Sequence, residues 1–305
     1  MLNHGSCRLR PPFPKITFAV IHNHDGQRLA HVLPNCRRLA ESVGGAISEV
    51  CDQPQIDPHS RVVAIARGIS CWALQRQWDR HLQVERAPLM KSFLTNIYGF
   101  WWSYYGVRWR GVCGASDAIS FLCRRSAIER ILARKHVTAW ATCNQTSDYI
   151  VVVEDDAVFL PDTHLRFVGL LDQLSTRNPA NDLYVDLAGG LPIDALRVTK
   201  LVSKRENALI HFHRPVTNTA CVYMISAATA RRFCRILYQK PWFRWVPADW
   251  LINGLLMRAI KDGAVFDCMH ADPPIWVHGT AEGTYASTLE PWDMTHLQSS
   301  RRSEA

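Results

Sequence analysis

The chain of 305 residues contains no CxxC pair, although ten cysteines run through it. Without that spacing neither a zinc ribbon nor a small disulfide scaffold is expected, and free thiols in a reducing compartment fit best. No apolar run approaches the ~18 residues a membrane helix needs. The opening MLNHGSCRLRPPFPK also lacks the apolar stretch of a signal peptide. Low-complexity linkers and internal repeats are missing too, so one continuous domain over 15–290 is expected, with a flexible segment at 1–14 and a polar tail at 291–305. Acidic residues are in deficit, 27 against 35 Lys and Arg, which leaves a formal net charge of +8. That excess favours anionic partners. The basic residues are dispersed and no DNA- or RNA-binding motif is present, so nucleic acid is not an expected partner.

Strand and helix patterns alternate along the chain, which points to an α/β fold with a Rossmann-type mixed sheet flanked by helices. Ile16–Ile21 reads as a first strand. Gln27–Ser42 reads as a helix that Pro34 kinks or divides. Arg61–Ala66 reads as a second strand, Asp117–Lys135 as a long helix, and Leu183–Leu187, Ala208–Phe212 and Ala220–Ile225 as later strands. Ser226 is placed to cap a helix through Leu237. Pro247 suits the first turn of another that runs to Lys261 and stops at Gly263.

The densest chemistry is in YIVVVEDDAVFLPD, Tyr149 to Asp162. Ile150 to Val153 are apolar enough to be buried on both faces of a sheet, and the run ends in Glu154, Asp155 and Asp156. Side chains alternate across a strand, so Glu154 and Asp156 are expected on one face and Asp155 on the other. Paired carboxylates repel unless a cation or hydrogen bonds neutralise them, so the stretch is either a divalent-metal site or a solvated acidic turn. Asp249, in the first turn of its helix, is either a carboxylate held by the helix dipole or a base presented to a cleft. In PPIWVHGTAEGTYASTLEPW a short apolar piece delivers His278, and Gly279 and Thr280 open a loop suited to a phosphate or sugar. Asn23, Asp25 and Arg28 follow the first strand, where open α/β sheets bind ligands, and fit a base and ribose pocket.

Several of these pieces fall in an order that resembles the family 25 glycosyltransferases of lipopolysaccharide and capsule biosynthesis. The resemblance rests on VVVEDDAVFLPD, LYVDLAGG, NTACVYMISAATARRF, PADWLING and PPIWVHGTAEGTYAS, from about Gly114 to Ser287. Before that it is poor, and Cys123 and Arg124 stand where the family carries a Ser-His pair. The resemblance implies a GT-A-like fold in which Glu154 and Asp156, with His278, lie near an ion bridging a nucleotide-sugar diphosphate. That ion would be Mn2+ or Mg2+, and an imidazole ligand tilts the choice toward Mn2+. It further implies a donor of the UDP-sugar kind, a saccharide or lipid-linked saccharide acceptor, and a base at Asp249. Asp155 is the second catalytic candidate; Asn23, Arg28, Gly279 and Thr280 are the donor-binding candidates. Adjacent carboxylates on one strand argue against a glycosidase, whose two acids come from separate elements. A sugar nucleotidyltransferase and an inactive carbohydrate-binding protein of the same fold are the alternatives.

Aromatic and basic residues mix in GFWWSYYGVRWR, Gly99 to Arg110, and in PWFRWVPADW, Pro241 to Trp250. With the charge of +8, these segments lead to the expectation of a cytoplasmic protein that touches the inner face of an anionic membrane. Cosedimentation with anionic vesicles is expected at low salt and is expected to vanish at high salt; no binding at low salt would leave these aromatics to packing alone.

Overall fold

β1 (Ile16–Ile21) is buried along its whole length, as six largely apolar residues in a row demand. It pairs in parallel with β2 (Ala46–Val50) on one side and with β3 (Tyr149–Glu154) on the other, in a register that sets Ile21 opposite Glu154. In the computed structural model the described residues are 14–51, 56–57, 59–82, 115–190, 193, 198–280 and 283–285, with the backbone alone for 115–122 and 124. The segment 99–110 and the tail 291–305 lie outside them, as does 1–14 apart from Pro14.

Helix α1 (Gly26–Val43) links β1 to β2. It begins at Asp25, whose carboxylate accepts from the amides of Gln27 and Arg28, and ends at Gly44 in the left-handed conformation at φ 67°. Pro34 does not divide it. The proline removes one helical hydrogen bond, but Pro34 and Ala30, whose carbonyl loses its partner, are both exposed, where water replaces the missing donor.

The sheet has eight strands in the order β2-β1-β3-β8-β5-β9-β7-β6. The later ones are β5 (Asp182–Asp186), β6 (Val202–Glu206), β7 (Leu209–Phe212), β8 (Val222–Ser226) and β9 (Phe266–Ala271). β8 runs antiparallel to both β3 and β5, so the sheet is mixed. Alternation sends Ile21, Ile150, Val152, Tyr184 and Tyr223 to one face, under α2 (Arg61–Leu82), α3 (Ala115–Cys143), α5 (Ala227–Gln239) and α6 (Ala248–Lys261). Phe18, Val20, Val151, Val153 and Met224 go to the other, under α1 and α4 (Thr163–Leu174). This is the Rossmann-like mixed α/β architecture expected, with six α-helices among the described residues around one large sheet. A second, two-stranded sheet joins β4 (Ala157–Phe159) to β10 (Trp276–His278), with Ala157 opposite His278.

Arg61–Ala66 is a correction: it begins α2 and is not a strand. Its Val-Val-Ile content favours a strand locally, but the buried positions Val63, Arg67, Ser70, Cys71 and Leu74 recur at helical spacing. A second apolar stripe hides that signal, since Val62, Ile65 and Ile69 are 72%, 62% and 48% exposed. Ser226 caps α5 as expected, its hydroxyl accepting from the Thr229 amide. The segment Pro241 to Trp250 is engaged in packing: Phe243 is buried with Trp242 stacked on it, and the Arg130 guanidinium lies 3.7 Å from the Trp245 ring centre. No helix among the described residues is long and apolar enough to cross a membrane.

Gly254 lets α6 approach its neighbours. A Cβ there would lie 2.6 Å from the Phe243 ring and 2.7 Å from Leu74 Cδ2. Overpacking of this kind costs about 1–3 kcal/mol, against the ~1 kcal/mol alanine gains over glycine inside a helix. Gly254→Ala is therefore expected to lower the denaturant midpoint, and a raised midpoint would show that Leu74 and Phe243 do not press on α6.

Candidate active site

Because β1 and β3 are parallel neighbours, their carboxyl ends open side by side, the position where such sheets bind ligands. The strand stops at Glu154, however, and Asp155 and Asp156 form a turn into β4. The alternation expected beyond Glu154 therefore does not apply, and the three carboxylates point three ways. All of them line a cleft of about 470 Å3 with Asn23, Arg28, Asp249, His278 and Thr280.

Asp155 turns toward α1. Its Oδ2 accepts from the Asn23 amide at 3.2 Å, and its Oδ1 lies 3.3 Å from Arg28 Nη1. Burial raises the Asp155 carboxyl above its ordinary pKa, and Arg28 works against that shift. The Arg28 guanidinium also faces the Tyr285 ring at 5.4 Å. Asn23 in turn accepts from Lys135 through its side-chain oxygen at 2.6 Å.

Asp156 turns toward the second sheet. Thr280 Oγ1 donates to its Oδ2 at 2.6 Å, and His278 Nδ1 stands 3.5 Å from the same oxygen. Cys221 Sγ, just before β8, donates to Oδ1 at 3.5 Å. The backbone locks this arrangement: the Gly279 amide donates to the Asp156 carbonyl at 2.9 Å. A Cβ on Gly279 would sit 2.6 Å from that same oxygen, so only glycine fits. One ligand atom each from Asp156, Cys221 and His278 lies within 4.8 Å of the other two. An oxygen, a sulfur and a nitrogen at that spacing fit a divalent cation. Glu154, expected from the sequence as a ligand, stands beside this triad, and Cys221 takes a place in it that nothing in the sequence assigned.

Glu154 is held instead by a buried chain of hydrogen bonds. Trp140 Nε1 donates to Tyr223 Oη at 2.8 Å, Tyr223 Oη is 2.8 Å from His136 Nδ1, and His136 Nε2 is 3.0 Å from Glu154 Oε1. An indole N–H only donates, so Trp140 gives its proton to Tyr223 Oη and the chain ends there. Burial drives His136 down to about 3, which keeps it neutral. Burial, then Asp156 and Asp249, push the Glu154 carboxyl well above its usual range.

Asp249 closes the cleft from the start of α6. It does not cap that helix: Oδ1 accepts from the Ala220 amide at 2.9 Å, tying α6 to the segment before β8. Solvent reaches Asp249 through the cleft, yet the surrounding protein raises its pKa by desolvation, with His278 and His136 opposing. On the far wall Glu129 accepts from both Arg67 and Arg125. Asp186, 1% exposed, accepts from the amides of Gly189, Asn218 and Thr219 and so fixes the two loops behind His278.

The structure thus gathers Asn23, Arg28, Glu154, Asp155, Asp156, Asp249, His278 and Thr280 in one cleft, with Gly279 supporting it from behind. His136, Glu129, Asp186 and Cys221 are additions. His136 had a sequence signal, since it and Trp140 share one face four residues apart, but the helix was expected to end one residue earlier, at Lys135. The chain matches no protein-family model and no curated protein.

Unfolded histidine binds a proton near 6.5 and His136 in the fold only near 3. The unfolded state holds more protons between those values, so this contribution to stability is complete above pH 6.5 and is lost as pH falls toward 3. Glu154 acts in the opposite direction, because its raised pKa favours the fold as pH drops. His136→Gln is expected to flatten the fall of unfolding free energy between pH 6.5 and about 4 relative to wild type, measured by urea denaturation. Parallel curves would contradict a neutral buried imidazole.

Proposed function

We propose that the chain is a glycosyltransferase of the family 25 kind, moving a sugar from a nucleotide-sugar donor to a saccharide acceptor in cell-surface polysaccharide or lipopolysaccharide synthesis. The observation that carries this reading is the convergence, at the carboxyl ends of β1 and β3, of a candidate metal triad with Asp249 and the Thr280 loop in one cleft. A divalent ion held by Asp156, His278 and Cys221 would supply Lewis-acid stabilisation of the diphosphate leaving group.

The protein's own groups do the rest. Asn23, just after β1, and Arg28, in the first turn of α1, face the donor nucleotide, with Arg28 steadied by Asp155. The Gly279–Thr280 turn covers the diphosphate side and orients Asp156 through the Thr280 hydroxyl. Asp249 receives the acceptor hydroxyl proton; its raised pKa brings it closer to the operating pH of a general base, and its tie to the Ala220 amide fixes its direction. Glu154 is held beside the triad by its hydrogen bond to His136. A UDP-sugar donor, a lipid-linked acceptor and a place on the inner membrane face complete the proposal.

One observation weighs against a sugar nucleotidyltransferase. Such an enzyme uses a glycine-rich loop whose amides cradle phosphates after the first strand. Here β1 runs into His22-Asn23-His24-Asp25, and the Asp25 carboxylate already occupies the Gln27 and Arg28 amides at the start of α1.

A panel of nucleotide sugars assayed for nucleotide release, with divalent ions and then with excess chelator, tests the reading. Turnover of at least one donor, lost with chelator, is expected. Asp156→Asn should abolish it with the fold intact. Asp249→Asn should lower turnover roughly 100-fold with donor affinity little changed. Full activity of either folded variant, or activity untouched by chelation, would remove its residue from the chemistry.

A further inference from the structure

We propose that Asp156, Cys221 and His278 form a three-ligand site for a thiophilic divalent cation of the zinc class, in which Cys221 sets the metal preference. The inference deepens the metal half of the reading above and is independent of sugar transfer.

The geometry comes first. In a tetrahedral shell with bonds of about 2.0–2.3 Å, neighbouring ligand atoms are about 3.3–3.6 Å apart. Cys221 Sγ to Asp156 Oδ1 and His278 Nδ1 to Asp156 Oδ2 are each 3.5 Å. The two contacts reach different oxygens of Asp156, and one ligand atom from each residue lies within 4.8 Å of the other two. The backbones that carry the three ligands are tied to one another. Glu154 N donates to the Cys221 carbonyl at 2.8 Å, Gly279 N donates to the Asp156 carbonyl at 2.9 Å, and Ala157 pairs with His278 across the second sheet. The Thr280 hydroxyl on Asp156 Oδ2 is the kind of outer hydrogen bond that orients a metal-binding carboxylate.

The donor set decides the class of ion. Hard Mg2+ and Ca2+ select all-oxygen shells, and Mn2+ is the weakest of the first-row divalent ions for mixed nitrogen and sulfur sites. Zn2+ and Co2+ accept carboxylate, imidazole and thiolate together. Three protein ligands with a fourth position open to the cleft is the pattern of a zinc site that receives a substrate oxygen. Charge also balances: the Asp156 carboxylate and a Cys221 thiolate offset the two positive charges, while His278 binds neutral. The thiol proton leaves to solvent, so uptake of one ion releases one proton.

The test uses the full chain stripped with chelator and titrated with Co2+. Expected are a thiolate-to-cobalt charge-transfer band in the near ultraviolet, visible bands of tetrahedral intensity, and displacement by Zn2+ but not by equimolar Mn2+. Cys221→Ser should lose the near-ultraviolet band and bind Co2+ at least about 10-fold more weakly. Circular dichroism and thermal melting check that it folds. His278→Asn, at a partly exposed side chain, should weaken binding while retaining the thiolate band at saturation. A wild-type cobalt spectrum without the thiolate band, a Cys221→Ser spectrum identical to it, or Mn2+ competing equally with Zn2+ would overturn the proposal. No sugar donor enters this measurement. A thiolate band with no donor turned over would sink the transferase reading and leave this one standing; Mn2+-dependent turnover without the band would do the reverse.

Discussion

The site depends on three residues pairing with three. β10 lies antiparallel to β4, and that short ladder brings His278, Gly279 and Thr280 to Asp156 across more than a hundred residues of chain. Closing so long a loop costs conformational entropy, and two three-residue strands offer few hydrogen bonds against it. Trp276 supplies the anchor. It is fully buried and meets Phe159 and Phe167 edge to face, with ring centres 5.6 and 5.5 Å apart. Aromatic packing on one face of the large sheet therefore fixes polar geometry at the sheet's end.

That geometry concentrates negative charge. Glu154, Asp155, Asp156 and Asp249 share one cleft, and each is answered differently: an imidazole for Glu154, a guanidinium for Asp155, a backbone amide for Asp249. Asp156 is met by a hydroxyl, a thiol and a histidine. Asp156 is thus the cleft carboxylate whose neighbours could hold a metal with it.

Much of this was legible because the signals were local. A buried apolar run gave β3, an N-cap serine gave α5, and Pro247 marked the start of α6. The faces of the acidic triplet were not legible: period-two alternation holds only while a strand lasts, and where β3 stops is decided by the pairing of its neighbours. Cys221 looked like one more small apolar residue of the expected strand Ala220–Ile225, and joins the candidate triad only because β8 lies next to β3. Asp186 and Glu129 likewise owe their roles to partners far away in sequence. The helical nature of Arg61–Leu82 was masked because α2 carries apolar residues on its open face as well as its packed one.

The buried chain from Trp140 to Glu154 has a consequence for where protons travel. A relay that passes a proton along must afterwards reverse all its hydrogen bonds, and reversal requires every member to accept as well as donate. Trp140 cannot accept, so a proton that reached Tyr223 from His136 could go no further. The path behind Glu154 is a dead end for proton conduction, although each link in it is short. A proton exchanged at Glu154 therefore comes and goes by way of the cleft that Glu154 lines.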